Sequence, residues 1–309
     1  MNKRRFTRVL LPILAIAMVA ASCGDDGGKT AATTSGSTAS SSGPAATASG
    51  PPQFAAGTTM ATIQARGKMI LGTKFDQPLF GLKNPTNNAV EGFDVEIGKI
   101  IAKAIFGADG ASKIEFQETT SKVREDVVKD GKVDLVVATY TINDTRKQII
   151  DFAGPYYVAG QDIMVKKSNT AITGVESLAG KKVCTVQGST SLTNVQAKAP
   201  QADVSITFDK YSLCVEALKD GRVEAVTTDN IILLGFINDD PTNLKLVNKP
   251  FTTEPYGIGV KKGDTAFRTF VNDTLEKAYA DGSWKKAWDA TAGKTGQAAP
   301  TPPPVNRYV

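Results

Sequence analysis

The stretch VDLVVATYTINDTR, residues 133–146, decides the fold prediction for this 309-residue chain. Its apolar part, residues 133–137, is typical of a short strand buried in a parallel β-sheet. Thr139 and Thr141 follow the strand, and Arg146 comes soon after. Open α/β sheets bind ligands beyond the carboxyl ends of their strands, and a guanidinium matches a carboxylate with two parallel hydrogen bonds. The stretch therefore predicts a site for a small carboxylate. The alternative is an ordinary strand–loop–helix connection with a surface arginine.

Strands and helices alternate on the amino-terminal side of this stretch. The pattern predicts a strand at 68–73, a helix at 92–107 with Asp94 as its N-cap, a strand at 114–117 and a helix at 119–131. Such an alternation predicts a parallel sheet with right-handed crossovers.

The same rhythm repeats after an extended segment at 151–167, and residues 254–262 are expected to form a return crossover. A helix at 265–280 should then pack on the first lobe. The fold class is therefore α/β with two lobes: residues 59–157 begin lobe 1, residues 158–253 form lobe 2, and residues 254–292 return to lobe 1. Two crossings make a hinge, and a cleft between hinged lobes is a common ligand site.

Composition excludes several function classes. The chain is 41% hydrophobic and 22% charged, as expected of a globular protein, and it contains no histidine. Ser-His and Cys-His nucleophiles and histidine metal sites are therefore excluded, and we expect no catalytic residue, metal or cofactor. Four of the 36 basic residues lie before residue 9, so the rest carries 32 basic against 31 acidic residues. This balance does not indicate a nucleic-acid partner.

The two ends of the chain are expected to lie outside the folded body. Residues 1–22 have the basic head, short apolar run and small residues of a signal peptide, and Cys23 follows in a context that resembles a lipoprotein lipobox. Ala20 stands where leucine is usual, and a plain secreted protein is the alternative. Residues 23–58, rich in Ser, Thr, Ala and Gly, should be a flexible tether, and residues 293–309 a disordered Pro-rich tail.

Four motifs together resemble the polar-amino-acid family of extracellular solute-binding proteins of ABC importers: GFDVEIG at Gly92, TYTINDTR at Thr139, VQGST at Val186 and VEAVTTD ending at Asp229. The resemblance covers about residues 61–287. GTKFDQP, YSLCVEAL and TTD are similar to the glutamate-binding lipoproteins of actinobacterial importers. The resemblance implies a periplasmic-binding-protein type II fold, a monomer held by lipid on Cys23 at the outer face of the cytoplasmic membrane, and an ABC permease as partner.

The resemblance also implies how the α-carboxylate of an amino acid would be held. Arg146 would clamp it, helped by backbone N–H groups at Thr141 and Thr190. Ser189 belongs to the same loop before a helix, where free N–H groups and the helix dipole favour an anion. A simple helix cap is the alternative for this loop.

Asp229 matches the acidic residue that takes the α-ammonium. The carbonyl of Thr139 and the hydroxyl of Thr141 would complete its surroundings. A buried carboxylate needs a cation, which supports this role. Alternatively, Asp229 only caps the helix that starts beside it.

Side-chain specificity points to an acidic ligand. Many family members carry an aspartate where this chain has Lys74, so a second carboxylate is expected. Arg124 resembles a basic residue that acidic-amino-acid binders aim at the distal carboxylate, with Ser121 one turn before it. Alternatively, Lys74 is a solvated loop lysine, and Arg124 pairs with Glu125 or Asp126.

Further contacts are expected from aromatic residues, and a disulfide from two cysteines. Tyr211 is a candidate for the distal carboxylate. Phe75 and Phe80 could pack on the ligand's aliphatic part, or else in the core. Cys184 and Cys214, in an exported protein, are expected to form a disulfide inside lobe 2.

These expectations describe a lipid-anchored protein that captures glutamate, with aspartate as a further candidate, by hinge closure and delivers it to a permease. Three alternatives stay open: a binder of glutamine or asparagine, a sensor that reports to a membrane kinase, and a dehydratase on the same fold.

Overall fold

The computed structural model describes residues 51–308. The signal peptide, the lipidation of Cys23 and the first part of the tether lie outside the described residues. No helix in residues 51–308 is both long enough and apolar enough to cross a membrane.

The element bounds are as follows. The α-helices are α1 Thr59–Arg66, α2 Phe93–Phe106, α3 Arg124–Lys129, α4 Asp144–Lys147, α5 Thr190–Lys198, α6 Tyr211–Lys219, α7 Asn230–Asp239, α8 Thr265–Ala280 and α9 Ser283–Ala290. The strands are β1 Met69–Thr73, β2 Asp76–Gln77, β3 Gly81–Lys83, β4 Val90–Glu91, β5 Ile114–Glu118, β6 Leu135–Val136, β7 Asp151–Ala159, β8 Gln161–Lys166, β9 Val183–Val186, β10 Thr207–Phe208, β11 Ala225–Asp229, β12 Leu244–Leu246 and β13 Glu254–Val260.

The sheet of lobe 1 has the strand order β5-β1-β6-β13-β7. β5, β1 and β6 are parallel, as the alternating pattern predicts, with Leu71 opposite Leu135. β13 is antiparallel to both β6 and β7. The prediction of a crossover at residues 254–262 is therefore wrong, because residues 254–260 are a strand of this sheet, which is mixed. Antiparallel pairing lets the returning chain complete the sheet without another helical crossover.

The sheet of lobe 2 has the order β10-β9-β11-β8-β12. β9 pairs in parallel with β10 and β11, whereas β8 is antiparallel to β11 and β12. The chain passes from lobe 1 to lobe 2 at Gly160, between β7 and β8, and returns before β13. Each sheet has apolar clusters packed on its faces, so each lobe has a core of its own.

Helix α2 begins two residues earlier than the predicted N-cap implies. Gly92 is its N-cap, with φ of 129°, and a Cβ there would lie 2.2 Å from the carbonyl oxygen of Phe80. Asp94 is therefore not the N-cap. It lies in the first turn with a fully buried side chain.

Both ends of the described chain pack more than expected. Phe54 stacks edge-on against Phe270, with ring centroids 5.4 Å apart, so the tether meets lobe 1 before residue 59. At the other end, the Asn306 N–H donates to the Gly154 carbonyl at 2.8 Å, and the Tyr308 hydroxyl accepts from the Phe152 N–H at 2.7 Å. The expectation of an unpacked tail does not hold for residues 305–308, because β7 is an edge strand with free backbone groups that this segment can pair.

The expected disulfide is present in lobe 2. Cys184 and Cys214 are joined with an S–S distance of 2.05 Å, which ties β9 to α6.

Candidate ligand site

The two lobes touch along the cleft. The Arg146 guanidinium of lobe 1 donates to the Gly188 carbonyl of lobe 2 at 3.2 Å, and the Thr141 and Thr190 hydroxyls are 3.5 Å apart. Gly188 has φ of 71°, and a Cβ there would lie 2.7 Å from the Lys122 Cα. Only glycine permits this approach. The structure is therefore a closed form, and the predicted polar residues of the cleft are buried except Thr190, which is half-buried.

Arg146 is held in place by short-range contacts. Asn143 caps α4 and accepts from the Arg146 N–H at 2.9 Å. The side chain donates from Nε to Glu125 at 2.9 Å and from one terminal nitrogen to the Thr141 carbonyl at 2.7 Å. With the bond to Gly188, three of the five N–H donors are used, which leaves one on each terminal nitrogen for a carboxylate. Burial, together with the charge of Arg124, lowers the pKa of Arg146.

The amino end of α5 faces the same region. Ser189 is the N-cap: its hydroxyl accepts from the Leu192 N–H at 3.1 Å and donates to the Val186 carbonyl at 2.6 Å. Its side chain therefore works as a helix cap, which was the alternative. The N–H groups of Thr190 and Ser191, in the first turn, have no intrahelical acceptor and can serve an anion.

Asp229 ends β11 and is 4% exposed. One of its oxygens accepts from the Tyr256 hydroxyl at 2.6 Å, and within residues 51–308 the other has no hydrogen-bond partner. It makes no cap bond to α7, so the helix-cap alternative fails. Burial, and then the charge of Glu254, raises the pKa of Asp229 to about 7. This carboxylate needs a cation to be stable in its charged form.

Thr139 has an unusual backbone, with φ of 45°. This left-handed conformation is costly for a β-branched residue, by about 1–3 kcal/mol, and such strain clusters at functional sites. The Thr139 N–H donates to Asp94 at 2.7 Å, and the hydroxyl donates to Gln77 at 3.0 Å. Asp94 also accepts from the Tyr156 hydroxyl at 2.5 Å. These contacts stabilise the strained backbone at Thr139.

Lys74 is not a solvated loop lysine. The residue is 3% exposed, and its ammonium donates to the Ser121 hydroxyl at 2.9 Å. Burial is the main cause that lowers the pKa of Lys74 to about 7, and the positive charge of Arg124 adds to it.

Arg124 lies beside Lys74 and is also 3% exposed. It donates to the Ala138 carbonyl at 2.7 Å, and its guanidinium carbon lies 4.0 Å from the Tyr140 ring centroid. Its Nε has no hydrogen-bond partner within residues 51–308. Arg124 does not pair with its acidic neighbours, since Glu125 pairs with Arg146. Among the described residues, neither Lys74 nor Arg124 has a carboxylate within 4 Å.

The remaining predicted residues fall in different places. Phe80 is fully buried and packs edge-on against the rings of Phe93 and Tyr256, so it belongs to the core of lobe 1, as the alternative held. Phe75 is half-buried. Tyr211 is buried, and its hydroxyl donates to Ser191 at 3.3 Å on the Asp229 side of the cleft. A contact of Tyr211 with a distal carboxylate stays a prediction.

Sequence reasoning missed Gln77 and the role of Asp94. Gln77 is 1% exposed; its carbonyl oxygen accepts from Thr139, and its NH₂ group has no partner within the described chain. Gln77 lies within the GTKFDQP motif, but the motif itself predicts no contact with Thr139. Asp94 lies in the GFDVEIG motif, where the local pattern predicts an N-cap.

Nothing in the described chain suggests a metal centre. Within residues 51–308, no three Asp, Glu or Cys side chains are grouped so that they could hold a metal ion.

Comparison with known families gives one match over most of the folded body. Residues 69–290 match the model of the bacterial extracellular solute-binding proteins, family 3.

Three individual proteins illustrate this similarity. The ABC transporter glutamine-binding protein GlnH of Bacillus subtilis is 41% identical over 287 residues, which cover 93% of this chain and 96% of GlnH. The glutamate-binding protein GluB of Corynebacterium efficiens is 37% identical over 239 residues, covering 75% of this chain and 81% of GluB. Among solved structures, an ancestral amino acid-binding protein, a precursor of cyclohexadienyl dehydratase, matches with a TM-score of 0.69 and 31% identity, covering 76% of this chain and 99% of that one.

Proposed function

Because this chain belongs to the bacterial extracellular solute-binding proteins of family 3, we propose that it captures glutamate, with aspartate as a further candidate, for an ABC importer. Its general class, an amino-acid-binding protein of an ABC transporter, follows from the family and from the relatives. The acidic ligand is the proposal.

One observation carries the choice of an acidic ligand: two buried cations lie side by side, and no carboxylate of residues 51–308 lies within 4 Å of either. Lys74 and Arg124 are each 3% exposed, and neither belongs to any ion pair formed within residues 51–308. Burying an unpaired charge is costly, so a distal carboxylate between them would recover that cost. Ser121, bonded to Lys74, would offer a hydroxyl beside the same oxygens.

The rest of the cleft suits the backbone part of an amino acid. The two remaining N–H donors of Arg146, with the N–H groups at the start of α5, would hold the α-carboxylate. The free oxygen of Asp229 would accept from the α-ammonium, with Thr139 and Thr141 nearby. The two carboxylates and the ammonium of glutamate would thus each meet a buried group of opposite charge.

Glutamine is the second candidate, because GlnH is 41% identical over 93% of this chain. With its pKa lowered to about 7, Lys74 can lose its proton, and a neutral amine tolerates an amide better than an ammonium does. The NH₂ group of Gln77 could donate to either an amide or a carboxylate oxygen. The two candidates therefore differ in what they require of Lys74.

Calorimetric titration tests the choice. The chain from residue 23, with Cys23→Ser, is titrated with glutamate, aspartate, glutamine, asparagine and arginine. We expect glutamate to bind with a Kd on the order of micromolar or tighter. We expect Lys74→Met to weaken glutamate binding at least tenfold and to leave glutamine binding within about threefold. The exposed Lys83→Met is the matched control.

Two other results would change the proposal. A preference for glutamine that survives Lys74→Met would favour the second candidate. Binding of none of the five amino acids would remove the proposed ligand class.

The lipid anchor and the permease complete the proposal. We infer that lipid on Cys23 holds the protein at the outer face of the membrane, and that the closed form delivers its ligand to the permease. Mass spectrometry of the amino-terminal peptide from native membranes would show an acylated Cys23 if the anchor exists.

A further inference from the structure

Helix α6 of lobe 2 has an unusual amino end. Its own N-cap residue, Lys210, makes no side-chain cap bond. The first N–H groups of a helix need acceptors, and an uncapped end is less stable than a capped one. The acceptor here comes from the other lobe: Asp76, in β2, accepts from the Ser212 N–H at 3.3 Å.

A second contact joins the lobes at the same place. The Lys210 ammonium lies 2.5 Å from the carboxylate of Glu118, the last residue of β5. The two side chains are 38% and 35% exposed, so the pair lies at the rim of the cleft. Two carboxylates of lobe 1 thus lie at the amino end of α6: one accepts from a backbone N–H and the other pairs with Lys210. The positive end of the helix dipole also favours negative charge there.

Neither contact can persist if the lobes separate, since each joins residues of different lobes. We propose that Asp76 and Glu118 form a latch that stabilises the closed form by capping α6 from the opposite lobe and by pairing with Lys210. This inference rests on the proposed function, because a latch matters where binding is coupled to closure. The latch acts on how long the cleft stays closed.

Helix α6 also connects the latch to the ligand site. Tyr211, the first residue of the helix, donates to Ser191 on the lobe 2 side of the cleft. Cys214, one turn later, is tied to β9 by the disulfide. Because the disulfide fixes α6 to β9, the helix can move with lobe 2 as a rigid body. Lobe closure and the position of Tyr211 are therefore linked.

Charge reversal tests the latch. With the tightest-binding amino acid from the titration above, we expect Glu118→Lys and Lys210→Glu each to weaken affinity about threefold, and the double swap to restore it to within about 1.5-fold. Asp76→Ala should weaken affinity about fivefold, with the change in the dissociation rate. Lys181 and Glu224 form a pair of similar exposure inside lobe 2, and reversing these two charges is the matched control.

Thermal unfolding separates a latch from an ordinary stabilising contact. Asp76→Ala should lower the melting temperature of the ligand-bound protein more than that of the ligand-free protein. Equal losses in both states, or a double swap that restores nothing, would overturn the latch.

A distance measurement keeps the test independent of ligand identity. Nitroxide labels at Ser112→Cys in lobe 1 and Lys198→Cys in lobe 2, both exposed, report lobe separation. If no amino acid binds, the proposed function fails, but a short-distance population that disappears in Asp76→Ala and Glu118→Lys still supports the latch. Identical distance distributions in parent and variants would overturn it.

Discussion

The two lobes contribute opposite charges to the cleft, and each is incomplete. Lobe 1 supplies Lys74, Arg124 and Arg146, whereas lobe 2 supplies Asp229 and the amino end of α5. Among the residues that the structure describes, only Arg146 of the three cations has a carboxylate partner, Glu125, and Asp229 has a tyrosine hydroxyl in place of a cation. Each lobe therefore contains buried charge that its own residues do not neutralise. An amino acid with two carboxylates and one ammonium would supply both missing signs.

The largest expected effect comes from Arg146, which pairs with Glu125 and donates to backbone carbonyls of both lobes. Arg146→Met should weaken ligand binding by about 100-fold or more, because it removes the carboxylate clamp and leaves Glu125 unpaired in a mostly buried place. The ligand-free protein should also lose about 2 kcal/mol of unfolding free energy. Calorimetry and urea unfolding measure the two losses.

Lys129→Met is the control for Arg146→Met, since Lys129 is an exposed cation on the neighbouring helix. Full affinity in Arg146→Met would contradict the clamp. A loss of affinity without any loss of stability would show that the Glu125 contact matters little to the fold.

A substitution of Asp229 should lower ligand affinity without lowering the stability of the ligand-free protein. Asp229→Asn is expected to weaken ligand binding about 30-fold, because an amide cannot neutralise the α-ammonium. The ligand-free protein should stay as stable or become slightly more stable, since the buried charge is removed. Calorimetry and thermal unfolding of the same samples check both parts. If stability instead falls as in Arg146→Met, the two lobes do not differ in the way described.

The smallest effect is a pH dependence with two limbs. Bound ligand should favour charged Lys74, so affinity should fall as the pH rises above about 7, where the free ammonium loses its proton. It should favour charged Asp229, so affinity should also fall as the pH drops below about 7, where the free carboxylate gains a proton. The expected profile is a maximum near pH 7 with at most about tenfold loss per pH unit on each side.

Calorimetry at several pH values measures this profile. Lys74→Met should flatten the alkaline limb alone, and Asp229→Asn the acidic limb alone. A profile that stays flat in the parent chain between pH 6 and 8 would contradict both assignments.

Sequence patterns predicted the strands and helices well where a single element has a clear period. Helix α8 begins and ends where expected, at Thr265–Ala280, because its apolar positions and its cap at Asp264 are local features. The pattern did not predict strand β13, because an extended segment has the same sequence features whether it pairs in a sheet or crosses a hinge. Pairing depends on the neighbouring strands, which a local pattern does not contain.

The candidate site shows the same limit. Arg146, Asp229, Lys74 and Arg124 were all expected from the family resemblance, and the structure buries all four. Gln77 and Asp94 were missed as supports of Thr139, because each lies more than 40 residues away from it in the chain. Contacts between residues so far apart in the chain depend on how β2 and α2 pack within lobe 1.

The sequence by itself determined the two-lobed α/β architecture, the family and the identity of the charged residues, since periodicity, composition and motifs are local properties of the chain. Only the tertiary structure decided which charges are paired. Glu125 could have served either of two arginines, and its partner is Arg146. Burial and distance set the cost of an unpaired charge, and both are fixed only when the lobes have folded and closed.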